Sequence, residues 1–184
     1  LIKTNATELF SRHDLNTLLD AVKERTPTIV EEVVEGNLKA SGLQKILQAL
    51  LEERVPIRDM ESILETLGEW GSRTQDLEVL TEYVRNKLAR SICAQYRDDH
   101  GQLRCVTLDP GLEDLINRHV ERTDRGSFLT LPPTTANQII RSAVEQLNKL
   151  SGFGAHPVIV CSPQIRMLLR RLAAAHIPNI VVLA

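Results

Sequence analysis

The chain has few cysteines and few aromatic residues, and both shortages narrow its possible functions. Its three cysteines in 184 residues are too few and too scattered to predict a disulfide framework or a CxxC metal site. Aromatic residues make up 3% of the sequence and the net charge is −2. Nucleic-acid binding usually requires excess positive charge and aromatic side chains that stack on bases. The composition therefore argues against a nucleic-acid partner.

Long hydrophobic runs are also missing. No run of about 18 apolar residues, the minimum for a membrane-spanning helix, occurs in the sequence. There is no charged and apolar leader of the kind that marks a signal peptide. We therefore expect a cytosolic chain. It begins at Leu1 without a methionine and ends in IVVLA, which has the pattern of a strand, so we interpret it as a fragment cut at both ends.

Catalytic signatures are absent as well. The motifs GxSxG, HExxH, GxxxxGKS/T and GxGxxG do not occur, and no histidine has a ligand partner at metal-binding spacing. The sequence therefore predicts no catalytic residue, no metal site and no cofactor. One alternative stays open at Ser162 and Pro163, where a helix start follows a predicted parallel strand, a position at which α/β proteins often bind anions. Because this turn contains no glycine, an ordinary helix start is the favoured interpretation.

Apolar residues at helical spacing run through the first half of the chain and predict at least five short helices. Asp14, Thr26 and Ser41 are predicted N-caps, the last in a capping box with Gln44. Pro56 suits the first turn of the helix that carries Met60, Ile63, Leu64 and Leu67. No repeat of fixed period is found, so we expect an irregular helical bundle.

The periodicity changes in the second half. Alternation around a polar turn predicts a β-hairpin between Ile92 and Thr107, and a polar loop is expected from Glu121 to Pro133. Helices are predicted from Asp109 and Thr135. Two apolar strands, 158–161 and 180–183, flank a helix that begins at Ser162, which predicts a parallel βαβ unit.

The predicted fold class is therefore α+β, with two domains. Residues 1–94 form an irregular helical bundle. Residues 95–184 form a small α/β domain that contains the β-hairpin and the parallel βαβ unit.

Two short motifs are not required by helical periodicity, VPIRD at 55–59 and TEYVR at 81–85. Three further segments follow them, ICAQYRDDHGQLRCVTLDPGLE, RGSFLTLPP and HPVIVCSPQIRMLLRRL. In this order the segments resemble the C-terminal region of the FHIPEP family, the large export-gate proteins of flagellar and injectisome type III secretion. The resemblance spans nearly all of the chain, and it rests on the order of the motifs because no single motif is diagnostic.

This resemblance implies a part of an inner-membrane export-gate protein. Its cytoplasmic portion would form a ring, nine-membered in known cases, that receives chaperone–substrate complexes and contacts other export-apparatus proteins. Residues 1–94 would be the third cytoplasmic subdomain and 95–184 the fourth, cut short. Attachment to the membrane would come only from an N-terminal region that this sequence does not contain. The chain would lie at the cytoplasmic face of the bacterial inner membrane as a scaffold, not as an enzyme.

Five residues are candidate subunit or partner contacts. Four are polar residues of the two motifs, whose identities the apolar periodicity does not require, and the fifth is the only tryptophan. They are Arg58, Asp59, Glu82, Arg85 and Trp70.

Two other classes remain as alternatives. One is a small-molecule-binding α/β enzyme with a helical cap and an anion site near Ser162, which predicts a pocket with converging titratable groups at the ends of the parallel strands. The other is a helix-turn-helix regulator, which predicts a basic recognition helix. An export-gate fragment predicts neither feature, but a polar, patchy surface on its helical half.

Overall fold

The computed structural model describes residues 10–123, 126–152, 154, 156–177 and 179–184. The chain divides into two compact units, Leu1–Ile92 and Cys93–Ala184. The first unit is helical over its described residues, whereas the second combines helices with short parallel and antiparallel strands. The predicted α+β class is therefore confirmed.

The first unit is built around one central helix. Helix α4 contacts α1, α2, the π-helix and α5, because Ile63, Leu64 and Leu67 present a fully buried apolar face. The elements are α1 Arg12–Lys23, α2 Pro27–Glu31, a π-helix Glu32–Asn37, α3 Ala40–Glu52, α4 Met60–Gly71, α5 Leu77–Lys87 and α6 Ala89–Ala94, which ends just beyond the unit.

Helix α4 does not begin where its sequence predicted. The prediction placed Pro56 in its first turn, but the helix starts at Met60 and Pro56 lies in the preceding connection. Asp59 sets this start, because its carboxylate accepts a hydrogen bond from the Ser62 backbone N–H at 3.2 Å. An aspartate at this position satisfies one of the N–H groups that the first turn leaves without a helical partner.

Three other predicted helix starts are wrong by two or three residues, because other residues occupy the N-cap position. Helix α1 uses Ser11 as its N-cap, and Asp14 completes the capping box from within the helix. Helix α3 follows Lys39 without a side-chain cap, so Ser41 and Gln44 do not cap it. The predicted helix at Thr135, α8, follows Pro132 and spans Pro133–Ser151.

The predicted β-hairpin between Ile92 and Thr107 is also wrong. Its first three residues, 92–94, belong to helix α6, because Leu88 and Ile92 are both buried and lie one helical turn apart. The antiparallel pair found in the described residues lies instead almost entirely within the predicted polar loop, Glu121 to Pro133, and begins one residue before it. It joins β2, Val120–Thr123, to β3, Gly126–Leu129.

The second unit contains a three-stranded parallel sheet. Strand β4, Val158–Val160, lies between β1, Val106–Thr107, and β5, Val181–Leu183. Helix α9, Pro163–Ala174, connects β4 to β5, so the predicted βαβ unit is confirmed. Helix α7, Pro110–Arg118, begins at the predicted Asp109 cap and, with α8 and α9, buries the sheet.

A turn after α6 is organised by one carboxylate. Asp98 accepts backbone N–H hydrogen bonds from Gln102 at 2.8 Å and His100 at 3.0 Å, and its other oxygen accepts one from Arg104 Nε at 3.3 Å. The Gln102 N–H is the largest cause that lowers the pKa of Asp98, followed by the His100 N–H and Arg104.

We therefore expect the Asp98 pKa to lie below its ordinary value in a carbon-detected NMR titration. Because the ionised form is favoured in the folded state, the contribution of this turn to stability is complete at neutral pH and is lost as the pH falls below about 4. Replacing Arg104 with glutamine should raise the Asp98 pKa only slightly, since both backbone N–H groups remain. A return to the ordinary value in Arg104→Gln would show that the guanidinium is the main cause.

Candidate interaction surface

Arg58 and Asp59 lie in the connection before α4, but they have different surroundings. Arg58 is exposed, and within the described part of the chain it makes no hydrogen bond or ion pair. Asp59 is also exposed, yet its carboxylate already caps α4 through Ser62. Arg58 is thus available to a partner, whereas Asp59 has a structural role within its own helix.

Arg85 lies inside the helical unit. Its side chain is 7% exposed, and Nη1 is 3.2 Å from Glu53 Oε2. Glu82, one turn earlier on α5, is farther away, with 4.0 Å between its Oε1 and Arg85 Nε. Since Glu53 is the C-cap residue of α3, this ion pair joins the end of α3 to α5.

Trp70 forms an aromatic contact at the other end of α4. Its ring stacks on Tyr83 of α5, with 4.1 Å between centroids and 15° between planes. The Arg73 guanidinium carbon lies 4.6 Å from the Trp70 ring centroid, within the range of a cation–π interaction. Trp70 and Tyr83 are half-buried and Arg73 is exposed. The cluster joins α4 to α5 and leaves part of its surface accessible.

Three partners in these contacts were not predicted from the sequence. Glu53, Tyr83 and Arg73 are brought to the candidate residues by helix packing. Glu53 is separated from Arg85 by the whole of α4, and no local spacing rule links such positions. The only local signal was that Tyr83 belongs to the TEYVR motif and Arg73 closely follows Trp70.

The exposed face of α4 and α5 carries charges of both signs. Lys87 and Glu65 approach to 3.9 Å with both side chains about half exposed, a geometry that contributes little to stability. Val79 of α5 is one of the two most exposed large apolar side chains in the described residues. The exposed side chains of α4 and α5 therefore include charges of both signs and one large apolar residue, Val79.

At the start of α9, the alternative anion site, the Ser162 backbone N–H already has a hydrogen-bond partner. The Ser162 backbone N–H donates a 2.8 Å hydrogen bond to Glu113 Oε1, and the Ser162 hydroxyl makes no cap. A carboxylate at this position competes for the N–H group that an anion would use and repels negative charge. The geometry therefore gives no support to the enzyme alternative.

The described residues contain neither a metal-binding cluster nor a membrane-spanning helix. No group of three or more histidine, cysteine or acidic side chains in the described residues has an arrangement that could hold a metal ion. Within the same residues, no helix has both the length and the hydropathy needed to span a bilayer.

Comparisons with known proteins give consistent matches. The model of the FHIPEP family matches residues 1–184. The flagellar biosynthesis protein FlhA of Bacillus subtilis is 37% identical over 183 residues, which is 100% of this chain and 27% of that protein. The chain thus spans about a quarter of the length of this relative.

Solved structures agree with these sequence matches. The cryo-EM structure of nonameric SctV-C from EPEC matches with a TM-score of 0.86 and 29% identity, over 99% of this chain and 54% of that one. The complex of CdsV and CdsO from Chlamydia pneumoniae matches with a TM-score of 0.83 and 25% identity, over 98% and 53% of the respective chains.

Proposed function

We propose, because this chain belongs to the FHIPEP family, that it forms part of the cytoplasmic ring of an export gate in a flagellar or type III secretion apparatus. The observation that carries the proposal is the match over the whole chain to a protein solved as a nonamer. In this proposal the two units, Leu1–Ile92 and Cys93–Ala184, correspond to the third and fourth cytoplasmic subdomains. The remainder of the full protein holds the ring at the inner membrane.

Within that ring we assign the chain a binding role without catalysis. Docking of chaperone–substrate complexes requires accessible surface with mixed polarity, which the outer face of α4 and α5 supplies. Contact with other export-apparatus proteins is supported by the related CdsV, which was solved in complex with CdsO. The occupied Ser162 N–H supports the absence of an anion-dependent reaction.

We assign the subunit contact to Arg58. This guanidinium is exposed and has no partner among the described residues, and rings closed by heterologous contacts need complementary surfaces on each subunit. The other candidates have partners within the unit, and their substitution would change packing as well as association. Asp59 remains a secondary contact because its cap uses one carboxylate oxygen, Oδ1, toward Ser62.

Reversing the charge of Arg58 in the full protein should impair ring assembly and export. The proposed contact would become a like-charge pair, and such a pair at an interface costs several kcal/mol. Assembly is measured by electron microscopy of the purified protein, and export by secretion of substrates into the medium. Circular dichroism should show unchanged helix content, because Arg58 lies outside the helices.

Two matched variants isolate the effect. Lys45→Glu reverses an exposed charge on α3 of the same unit and should leave assembly unchanged. Asp59→Asn removes a charge but retains the cap, since asparagine caps helices about as well as aspartate, so any defect it causes comes from association. Normal rings and normal export in Arg58→Glu would refute the assigned contact.

A further inference from the structure

The aromatic cluster at the end of α4 forms a preorganised surface. Trp70 stacks on Tyr83 with 4.1 Å between ring centroids, and the Arg73 guanidinium lies over the Trp70 ring at 4.6 Å. Val79, one turn before Tyr83 on the same face of α5, is 39% exposed. We call these four residues the aromatic patch. Tryptophan, tyrosine and arginine carry much of the binding energy at protein interfaces, and side chains already fixed by mutual contact lose little entropy on binding.

The aromatic patch and Arg58 lie at opposite ends of α4. Arg58 precedes the first residue of the helix, Met60, whereas Trp70 is next to its last residue, Gly71. A helix of 12 residues is about 18 Å long, so the two ends are separate surfaces. A relative solved as a nonamer has an odd number of subunits, which two-fold contacts alone cannot build because they pair identical surfaces. Such a ring needs two different surfaces on each subunit, and the two ends of α4 carry different residues.

Charge at the two ends of α4 is complementary. The start carries the exposed Arg58 and Asp59, one cation beside one anion. The end carries the exposed Glu69 and Arg73, and Glu69 makes no hydrogen bond or ion pair within the described part of the chain. In a contact between the start of one copy and the end of another, Arg58 can pair with Glu69. In the same contact Asp59 can pair with Arg73 through Oδ2, since its cap uses Oδ1.

Apolar residues at the start of α4 match the aromatic patch as well. Pro56 and Ile57 precede Arg58 in a connection without helix or strand, and both are half-buried. Part of each side chain is therefore accessible to a neighbour. Contact of these residues with Trp70 and Val79 removes apolar surface from water on both copies, which favours association.

We propose that the aromatic patch binds residues 56–59 of the next copy of the chain in the ring. Pro56 and Ile57 of one copy lie against the patch of the other, and Arg58 pairs with Glu69. This contact exists only if the proposed ring exists, and it gives Arg58 its partner. Lys87 and Glu65 are not part of it and remain accessible to other proteins.

Exchange of the two charges tests the pair. In the full protein, Arg58→Glu and Glu69→Arg should each raise the protein concentration needed for ring assembly at least about tenfold, because each creates a like-charge pair. The double variant restores opposite charges and should recover most of this loss. Glu69→Arg combined with Lys45→Glu, which reverses an exposed charge on α3, keeps the like-charge pair and should stay impaired. Sedimentation of the purified protein measures assembly, and thermal unfolding establishes that each variant is folded.

Cysteine cross-linking tests which surfaces meet. All native cysteines of the full protein, including the three of this chain, are replaced with alanine, and Ile57→Cys and Val79→Cys are introduced together. A heterologous contact joins position 57 of one copy to position 79 of the next, so a short bifunctional maleimide should give a ladder of covalent multimers. Either cysteine alone should give no covalent product, because a position does not meet itself in such a contact.

Three results would each overturn this contact while leaving the ring in place. The first is impaired assembly of Arg58→Glu that Glu69→Arg does not relieve, since Arg58 would then have a different partner. The second is the absence of a covalent ladder from the double cysteine variant in assembled rings. The third is a covalent dimer from Ile57→Cys or Val79→Cys alone, which would indicate a two-fold contact between identical surfaces. A full protein that forms no rings without any substitution would instead refute the proposed function itself.

Discussion

Replacing Glu53 with alanine is expected to destabilise the helical unit by about 3 kcal/mol, because the buried Arg85 would lose its nearest counter-charge. The Arg85 side chain is 7% exposed and lies 3.2 Å from Glu53, whereas Glu82 is 4.0 Å away. Breaking a buried ion pair by removing one partner usually costs about 3 to 5 kcal/mol. The 18% exposure of Glu53 and the remaining Glu82 place the expected value at the lower end of that range.

Urea unfolding followed by tryptophan fluorescence measures this effect, since Trp70 is the only tryptophan and reports on the helical unit. Glu52→Ala, at an exposed neighbouring position on α3, should change stability by less than about 0.5 kcal/mol. The double variant Glu53→Ala with Arg85→Met should be more stable than Glu53→Ala alone, because no uncompensated charge remains. Equal stability of Glu53→Ala and Glu52→Ala would mean that the ion pair contributes nothing.

Truncating Ile63 to alanine should cost about 2 to 5 kcal/mol. This side chain is completely buried on the face of α4 that forms the core of the helical unit. Its removal loses apolar burial and leaves a cavity, and the surrounding helices can relax only partly. We expect the same urea experiment to show a lower transition midpoint and an unchanged slope.

Glu65→Ala on the exposed face of the same helix is the matched control. It removes the partner of Lys87 in a surface ion pair, which is usually worth no more than about 1 kcal/mol. A loss of less than about 1 kcal/mol in Ile63→Ala would indicate that α4 is not the central element of this core.

The elements that were predicted correctly are those with a strong local signal. The stripe that includes Ile63, Leu64 and Leu67 predicted the face of α4 that is buried. The short apolar strands around the helix at Pro163 predicted the parallel βαβ unit, because strands covered on both faces are almost entirely apolar. In both cases the spacing of apolar residues in the sequence follows directly from which side chains are buried.

The hairpin was misplaced because short segments are ambiguous. Ile92, Ala94 and Tyr96 alternate like a strand, yet Leu88 and Ile92 also satisfy helical spacing, and tertiary packing selects the helix. The observed β2 strand contains Glu121 and Arg122, two exposed charged residues. A strand with so little apolar content has the composition of a loop, so the sequence offered no reason to prefer it.

The residues that contact Arg85 and Trp70 could not be predicted from the sequence, for a different reason. The Arg85–Glu53 pair and the Trp70–Tyr83 stack join residues on different helices. Periodicity predicts which face of each helix is buried, but it does not predict the rotation and offset at which two helices meet. The sequence therefore identified Arg85 and Trp70 as candidate contact residues but did not predict the residues that they contact.

The parallel sheet has a consequence for how the chain acquires its structure. Val106 of β1 pairs with Ile159 of β4, so β1 cannot pair until β4 is available. Strand β4 follows α7, β2, β3 and α8 in the chain. Strand pairings between residues far apart in sequence raise the contact order and form slowly. Contacts between helices that are neighbours in sequence, such as α4 and α5, form quickly. During synthesis from the N-terminus, we expect the helical unit to be native while β1 remains unpaired, and the ribosome must release β4 before the sheet can nucleate.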